Sequence, residues 1–118
     1  MASGLPKLTK NYFLVYAPDL PNAQRAKHVP EHIVHNTPLI KNGIIKLGGG
    51  LLSSDAKSTD ADAHDKLDGS FIIVHGESIE EVWALIKKDV FYTSGEVWDR
   101  SKIIIKPVFL AIQDTKFE

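Results

Sequence analysis

Cysteine is absent from the chain, which removes disulfides, thiolate zinc sites, iron–sulfur clusters and cysteine nucleophiles together. An excess of charge of either sign is missing too. Fourteen Lys and Arg stand against 15 Asp and Glu, so no overall field draws the protein to nucleic acid or to an anionic membrane. Long apolar runs are also lacking: the stretches from Phe13 to Tyr16 and from Val108 to Ile112 fall far short of the ~20 residues that span a bilayer. The opening MASGLPKLTK has neither the apolar core of a signal peptide nor an arginine-rich presequence. The expectation is a soluble, cytoplasmic protein with no nucleic-acid or membrane partner.

What is present suffices for one core. A chain of 118 residues, 43% of them hydrophobic, removes roughly two-thirds of its unfolded surface from water without staples. A single domain is expected over residues 11–113, with loose tails at 1–10 and 114–118.

The aromatic and β-branched block from Tyr12 to Tyr16, closed by Ala17-Pro18-Asp19, predicts a strand buried on both faces. Apolar Val29, Ile33 and Ile40 recur near helical spacing between Asn22 and Asn42, and Asn42-Gly43 suits a helix end. Pro30 and Pro38 lie inside that span. An interior proline lacks the backbone N–H, so a break or kink is expected near 28–30, or a fresh segment opening at Pro30, with distortion near 37. Ile44 to Leu47 followed by Gly48-Gly49-Gly50 predicts a strand that something approaches too closely for side chains.

Residues 53–68 hold five Asp, two Lys and almost no large apolar side chain, the composition of a solvated loop. Their spacing lacks the Gly and terminal Glu of a calcium loop. Phe71 to Val74 predicts a third strand, and Ser78-Ile79-Glu80-Glu81 a capping box opening a second helix. The apolar stripe of that helix is Ile79, Val82, Trp83 and Ile86, ending at Lys87-Lys88. After a turn-rich connector, Ile103 to Ile112 predicts a long last strand that Pro107 marks as bulged or at an edge.

The resulting order, β-α-β-β-α-β, predicts an α+β ferredoxin-like domain: one antiparallel sheet with two helices on one face. The third and fourth strands are apolar at consecutive positions, although helices cover only one face. A homodimer through the sheet face is the expected cover.

Candidate chemistry is sparse. His28, His32 and His35 share one side of the first helix, and His28-Val29-Pro30-Glu31-His32 matches the H-x-x-E-H pattern of inverted zinc peptidases. A five-residue match interrupted by proline, with no further ligand in sight, is weak support for zinc, and no metal or cofactor is expected. The triple glycine lacks the Lys-Ser/Thr of a phosphate loop, so close backbone packing is its simpler explanation. Trp83, Trp98, Phe91 and Tyr92 read first as core or interface.

Taken in order, the landmarks resemble the YCII-related family. Arg25-Ala26-Lys27-His28-Val29 is similar to its R-x-x-H-L helix signature, followed by Gly43 and Gly48-Gly49. Asp68-Gly69-Ser70, the helix start at Ser78, Asp89-Val90-Phe91 with Gly95 and Val97, and Ile105-Lys106-Pro107 continue the resemblance over roughly residues 11–112. It implies a dimeric α/β barrel, a His–Asp active site in a cleft, and chemistry like that of dehydrochlorinases acting on chlorinated hydroxyquinols. By position, His28 becomes the proton-transfer residue and Asp89 its partner, with Arg25, Ser70 and Gly49 binding substrate. Val90 stands where the family usually has proline, Gly50 where proline commonly follows glycine, and Pro30 is foreign to the helix.

The expected function is a small lyase or isomerase-type enzyme moving a proton on a small aromatic or enolic molecule. Imidazole accepts a proton near neutral pH, and a carboxylate partner holds its tautomer. The alternative is a non-catalytic dimer, binding or regulatory, that holds a small metabolite in the same cleft.

Overall fold

The computed structural model describes residues 4–114 and 116–118; residues 1–3 and 115, which belong to the expected tails, lie outside it. Strand β1 (Tyr12–Pro18) leads to helix α1 (Arg25–Lys41), β2 (Ile45–Leu52), β3 (Leu67–His75), α2 (Ile79–Ile86), the one-turn α3 (Val90–Thr93) and β4 (Ile104–Val108). Short 3-10 turns at Ala63–Lys66 and Arg100–Lys102 precede β3 and β4. The sheet order is β2-β3-β1-β4 with every pairing antiparallel. This is the ferredoxin-like α+β arrangement.

Alternation sorts the sheet into two faces. Phe13, Val15 and Ala17 on β1 pair with Val74, Ile72 and Ser70 on β3 and point to the helices. There they join Val82 and Ile86 of α2, Phe91, Val97 and Trp98 in one core. Leu14 and Tyr16 point the other way, beside Ile73, Phe71 and Ile104. Within one chain the first strand is therefore buried on one face, not two, and Tyr16 remains 41% exposed on the other.

Helix α1 runs unbroken through Pro30 and Pro38, contrary to the expected break. Both prolines are exposed and no residue of α1 is fully buried, so water can reach the carbonyls that the missing N–H groups leave free. The helix is held by tertiary contacts rather than by an ideal hydrogen-bond ladder. It ends at Lys41, followed by Gly43 at φ +74°. Ser78 caps α2, its Oγ accepting from Glu81 N–H at 3.1 Å. The return arm of the box lands one residue early, since the Glu81 carboxylate accepts from Glu77 N–H at 3.3 Å.

Strand β2 carries a bulge between Ile45 and Leu47, which turns those two residues to opposite faces. At Gly48 a Cβ would lie 2.6 Å from Ile72 Cγ2, so the close approach expected of the glycine run is real. The last strand is shorter than expected. Tyr12, where β1 begins, pairs with Val108, so residues beyond it have no partner strand and Ile112 is 88% exposed. Pro107 sits on the edge strand β4. Among the described residues no helix is long and apolar enough to cross a membrane.

Candidate active site

The inward side of α1 sets polar side chains beside the two apolar residues, Val29 and Leu39, that it packs against the core. Arg25, His28, His32 and Asn36 recur at intervals of three and four and are half-buried against the domain. Between α1 and strands β2 and β3 lies a cleft of about 360 Å³, walled by apolar Val15, Ala17, Ile45 and Ile72. Arg25, His32, Asn36, Gly49, Ser70, Asp89 and Trp98 also line it.

Asp89 follows α2 and caps α3, accepting from Phe91 N–H at 2.9 Å. That role fixes its carboxylate under the middle of α1. Both of its oxygens lie 2.8 Å from His32 Nδ1, and Asn36 Nδ2 donates to its second oxygen at 3.0 Å. Burial alone would raise the Asp89 pKa; the hydrogen bond and charge of His32, with the Phe91 N–H and the Asn36 amide, outweigh it and hold the carboxyl below its ordinary value. Beside an ionised Asp89, Nδ1 is the ring nitrogen that carries hydrogen, so the lone pair of the neutral tautomer falls on Nε2.

The imidazole is locked in place. The Phe91 ring stacks on it with centroids 3.8 Å apart and planes within 3°, and Trp98 meets both rings edge-on. The Arg25 guanidinium also lies over the Phe91 ring, 4.8 Å from its centroid. Arg25 donates to both oxygens of Asp19 at 3.0 and 3.2 Å and to Ser70 Oγ at 3.1 Å. Burial pushes the Asp19 carboxyl above its ordinary value despite the pull of Arg25. Ser70 Oγ also accepts from Trp98 Nε1 at 3.1 Å. With its lone pairs committed to these donors, the hydroxyl hydrogen of Ser70 is left to be donated.

The expected pairing of His28 with Asp89 does not occur. His28 Nε2 lies 2.8 Å from Glu96 Oε1, which Lys27 shares at 3.1 Å; these two bonds hold the Glu96 carboxyl below its ordinary value. Asp89 faces α1 one turn further along, about 6 Å at 1.5 Å per residue, where His32 stands. Glu96 belongs to a segment tied to the start of α1 by Leu20 N–H to Val97 O and Gln24 N–H to Glu96 O, both 2.8 Å, and that segment captures His28. Arg25, Ser70, Gly49 and Asp89 are brought together at the cleft, and His28 is not among its lining residues.

His32, Asn36 and Trp98 were not singled out as site residues from the sequence. The usable signal for the first two was the recurrence of polar side chains at helical spacing, Arg25, His28, His32 and Asn36, on the same helix as apolar Val29 and Leu39. The two histidines of the H-x-x-E-H pattern take different carboxylates, and Glu31 between them is exposed.

A ferredoxin-like sheet with a histidine–carboxylate pair in the cleft under its first helix places the chain in a class of small α+β proteins. The chain belongs to the YCII-related domain family, which it matches over residues 11–105. It is 34% identical over 97 residues to fusaric acid biosynthesis protein 2 of Gibberella fujikuroi, covering 80% of this chain and 89% of that protein. Identity is also 34% over 101 residues with aspartate kinase FUB3 of Fusarium oxysporum f. sp. lycopersici; the match covers 84% of this chain and only 18% of that protein's length. Among solved structures it resembles 5-chloro-2-hydroxyhydroquinone dehydrochlorinase from Burkholderia phenoliruptrix, in complex with 2,5-dihydroxybenzoquinone. The TM-score is 0.67 with 28% identity, over 80% of this chain and 90% of that one.

Proposed function

We propose that the protein is a small lyase or isomerase-type enzyme that moves a proton on a small aromatic or enolic substrate held in the cleft. The observation that carries this reading is the contact of His32 Nδ1 with Asp89 at 2.8 Å beside an apolar-walled cavity. Nε2 of His32 takes a proton from the substrate, and Asp89 stabilises the imidazolium that results. The electron pair left on the substrate moves onto an oxygen, met by the Arg25 guanidinium and the Ser70 hydroxyl. It then expels a leaving group in a lyase, or recovers the proton at another atom in an isomerase. The names of the relatives, a biosynthesis protein and a dehydrochlorinase, support small-molecule processing.

The test is turnover of 5-chloro-2-hydroxyhydroquinone, followed by chloride release, in wild type, His32→Gln and His28→Gln. His32→Gln is expected to lose about 10²–10⁴-fold in rate while still binding ligand, and His28→Gln to keep its turnover. Binding without turnover in wild type would put the metabolite-binding reading ahead.

The same proposal includes a homodimer. The sheet face away from the helices exposes Tyr16 and Ile104 at 41% and 54%, with Leu14, Phe71 and Ile73 half-buried beside them. An apolar face of this kind calls for a partner. Sedimentation at micromolar concentration should find twice the 13.1 kDa chain mass; a monomer alone would refute it.

A further inference from the structure

Asn36 stands one turn after His32, and its amide is fixed from three directions. Nδ2 donates to Asp89 Oδ2 at 3.0 Å and to the backbone carbonyl of His32 at 2.9 Å. It also lies 3.1 Å from Nδ1 and 3.4 Å from Nε2 of the imidazole. An in-plane approach with those two distances would drive the nitrogen into a ring carbon, so the amide lies over the ring face. The stacked Phe91 ring occupies one face, which leaves the amide the other. His32 is therefore clamped between an amide and a benzene ring.

The clamp has a chemical consequence. A carboxylate and a peptide carbonyl are acceptors only, so turning the amide over would set oxygen against oxygen. Oδ1 of Asn36 must point away from both, and among the described residues no donor reaches it. The side chain is part of the cleft wall. The cleft wall thus carries a donor pole, Arg25 and the Ser70 hydroxyl, together with His32 and with Asn36, whose Oδ1 these bonds leave uncommitted.

We propose that Asn36 Oδ1 is a specificity-determining acceptor which selects ligands carrying a hydroxyl group, so that the cleft takes small rings bearing a hydroxyl together with a second oxygen. This assignment rests on the reading of the cleft as the ligand site. It does not require that the ligand be turned over.

Hydroquinone and 1,4-dimethoxybenzene share a ring and two oxygens, but only the first has hydrogens to donate. Their dissociation constants, measured by NMR titration on wild type and Asn36→Leu, form a cycle that isolates the contact. The variant is expected to bind hydroquinone about three- to tenfold more weakly, the value of one neutral hydrogen bond, and to bind the dimethyl ether as wild type does. Equal loss for both probes would show a purely structural role and overturn the proposal, as would no binding of hydroquinone by wild type. Should the variant fail to fold, a crystal of wild type with hydroquinone decides: a hydroxyl within about 3.2 Å of Asn36 Oδ1 supports the contact, and any other pose refutes it. A protein that binds hydroquinone in this way yet turns over no substrate would end the enzymatic reading and leave the role of Asn36 standing.

Discussion

Replacing Asp89 by asparagine keeps the side-chain volume and removes one charge at a residue that is 2% exposed. The carboxylate accepts from Phe91 N–H, His32 Nδ1 and Asn36 Nδ2. An asparagine can keep its oxygen toward Phe91 and His32 only by turning its own NH₂ against the Asn36 amide. If Asn36 flips to answer it, the Asn36 oxygen meets the His32 carbonyl instead. At least one charge-assisted hydrogen bond is lost and one donor or acceptor is left unmatched, so the variant should be less stable by about 2–4 kcal/mol at pH 7. In urea this appears as a midpoint lower by about 1–2 M with an unchanged slope. The pH dependence supplies an independent check. Because the folded-state pKa of Asp89 is depressed below 3.8, the stability its ionised form contributes is present above the unfolded value and is lost as pH falls through the folded one. The gap between wild type and variant should therefore narrow below about pH 4. Asp19, whose pKa is raised, tilts stability the other way in both proteins and cancels in the difference. A variant within about 0.5 kcal/mol of wild type at pH 7, or a gap unchanged down to pH 2, would refute this account of the site.

Arg25→Ala strands the Asp19 carboxylate, whose side chain is 5% exposed; the expected loss is about 2–4 kcal/mol at pH 7 by chemical denaturation, shrinking in acid as Asp19 takes up a proton. Gly48→Ala drives a Cβ to 2.6 Å from Ile72 Cγ2, whereas Gly49→Ala meets only the edge of the Phe71 ring at 3.2 Å. The first should cost about 1–3 kcal/mol, the second clearly less, in paired thermal melts. Ser78→Ala removes the cap on Glu81 N–H and should cost about 1 kcal/mol, with the cleft ligands bound as before.

Much of the architecture was legible in the chain because it rests on local rules. Ser78-Ile79-Glu80-Glu81 opens a helix wherever it occurs, since the capping oxygen and the orphaned N–H lie within four residues of each other. The consecutive apolar residues of β3 mark a strand by composition alone, and the order of elements then leaves few topologies to consider. The one-turn helix α3 escaped such a reading because four residues are too short for any periodicity to show. The end of β4 escaped it because a strand stops where its partner does, at Tyr12, and no residue after Val108 records that.

The unbroken α1 shows the same limit. Pro30 and Pro38 weaken the ladder locally, but contacts along one helix face outweigh propensity, and those contacts come from strands and loops far along the chain. The site is divided in the same way. Its residue types, a histidine on the first helix, an aspartate after the second, an arginine and a serine, were already present in the sequence, and helical spacing aligned His28 with His32 on one side. Which of the two meets Asp89 was not encoded locally. It depends on where the cap of α3 holds the carboxylate against α1, and on Glu96 being strapped close enough to take His28. A displacement of one helical turn separates the alternatives, and only the packing of the helices on the sheet determines it.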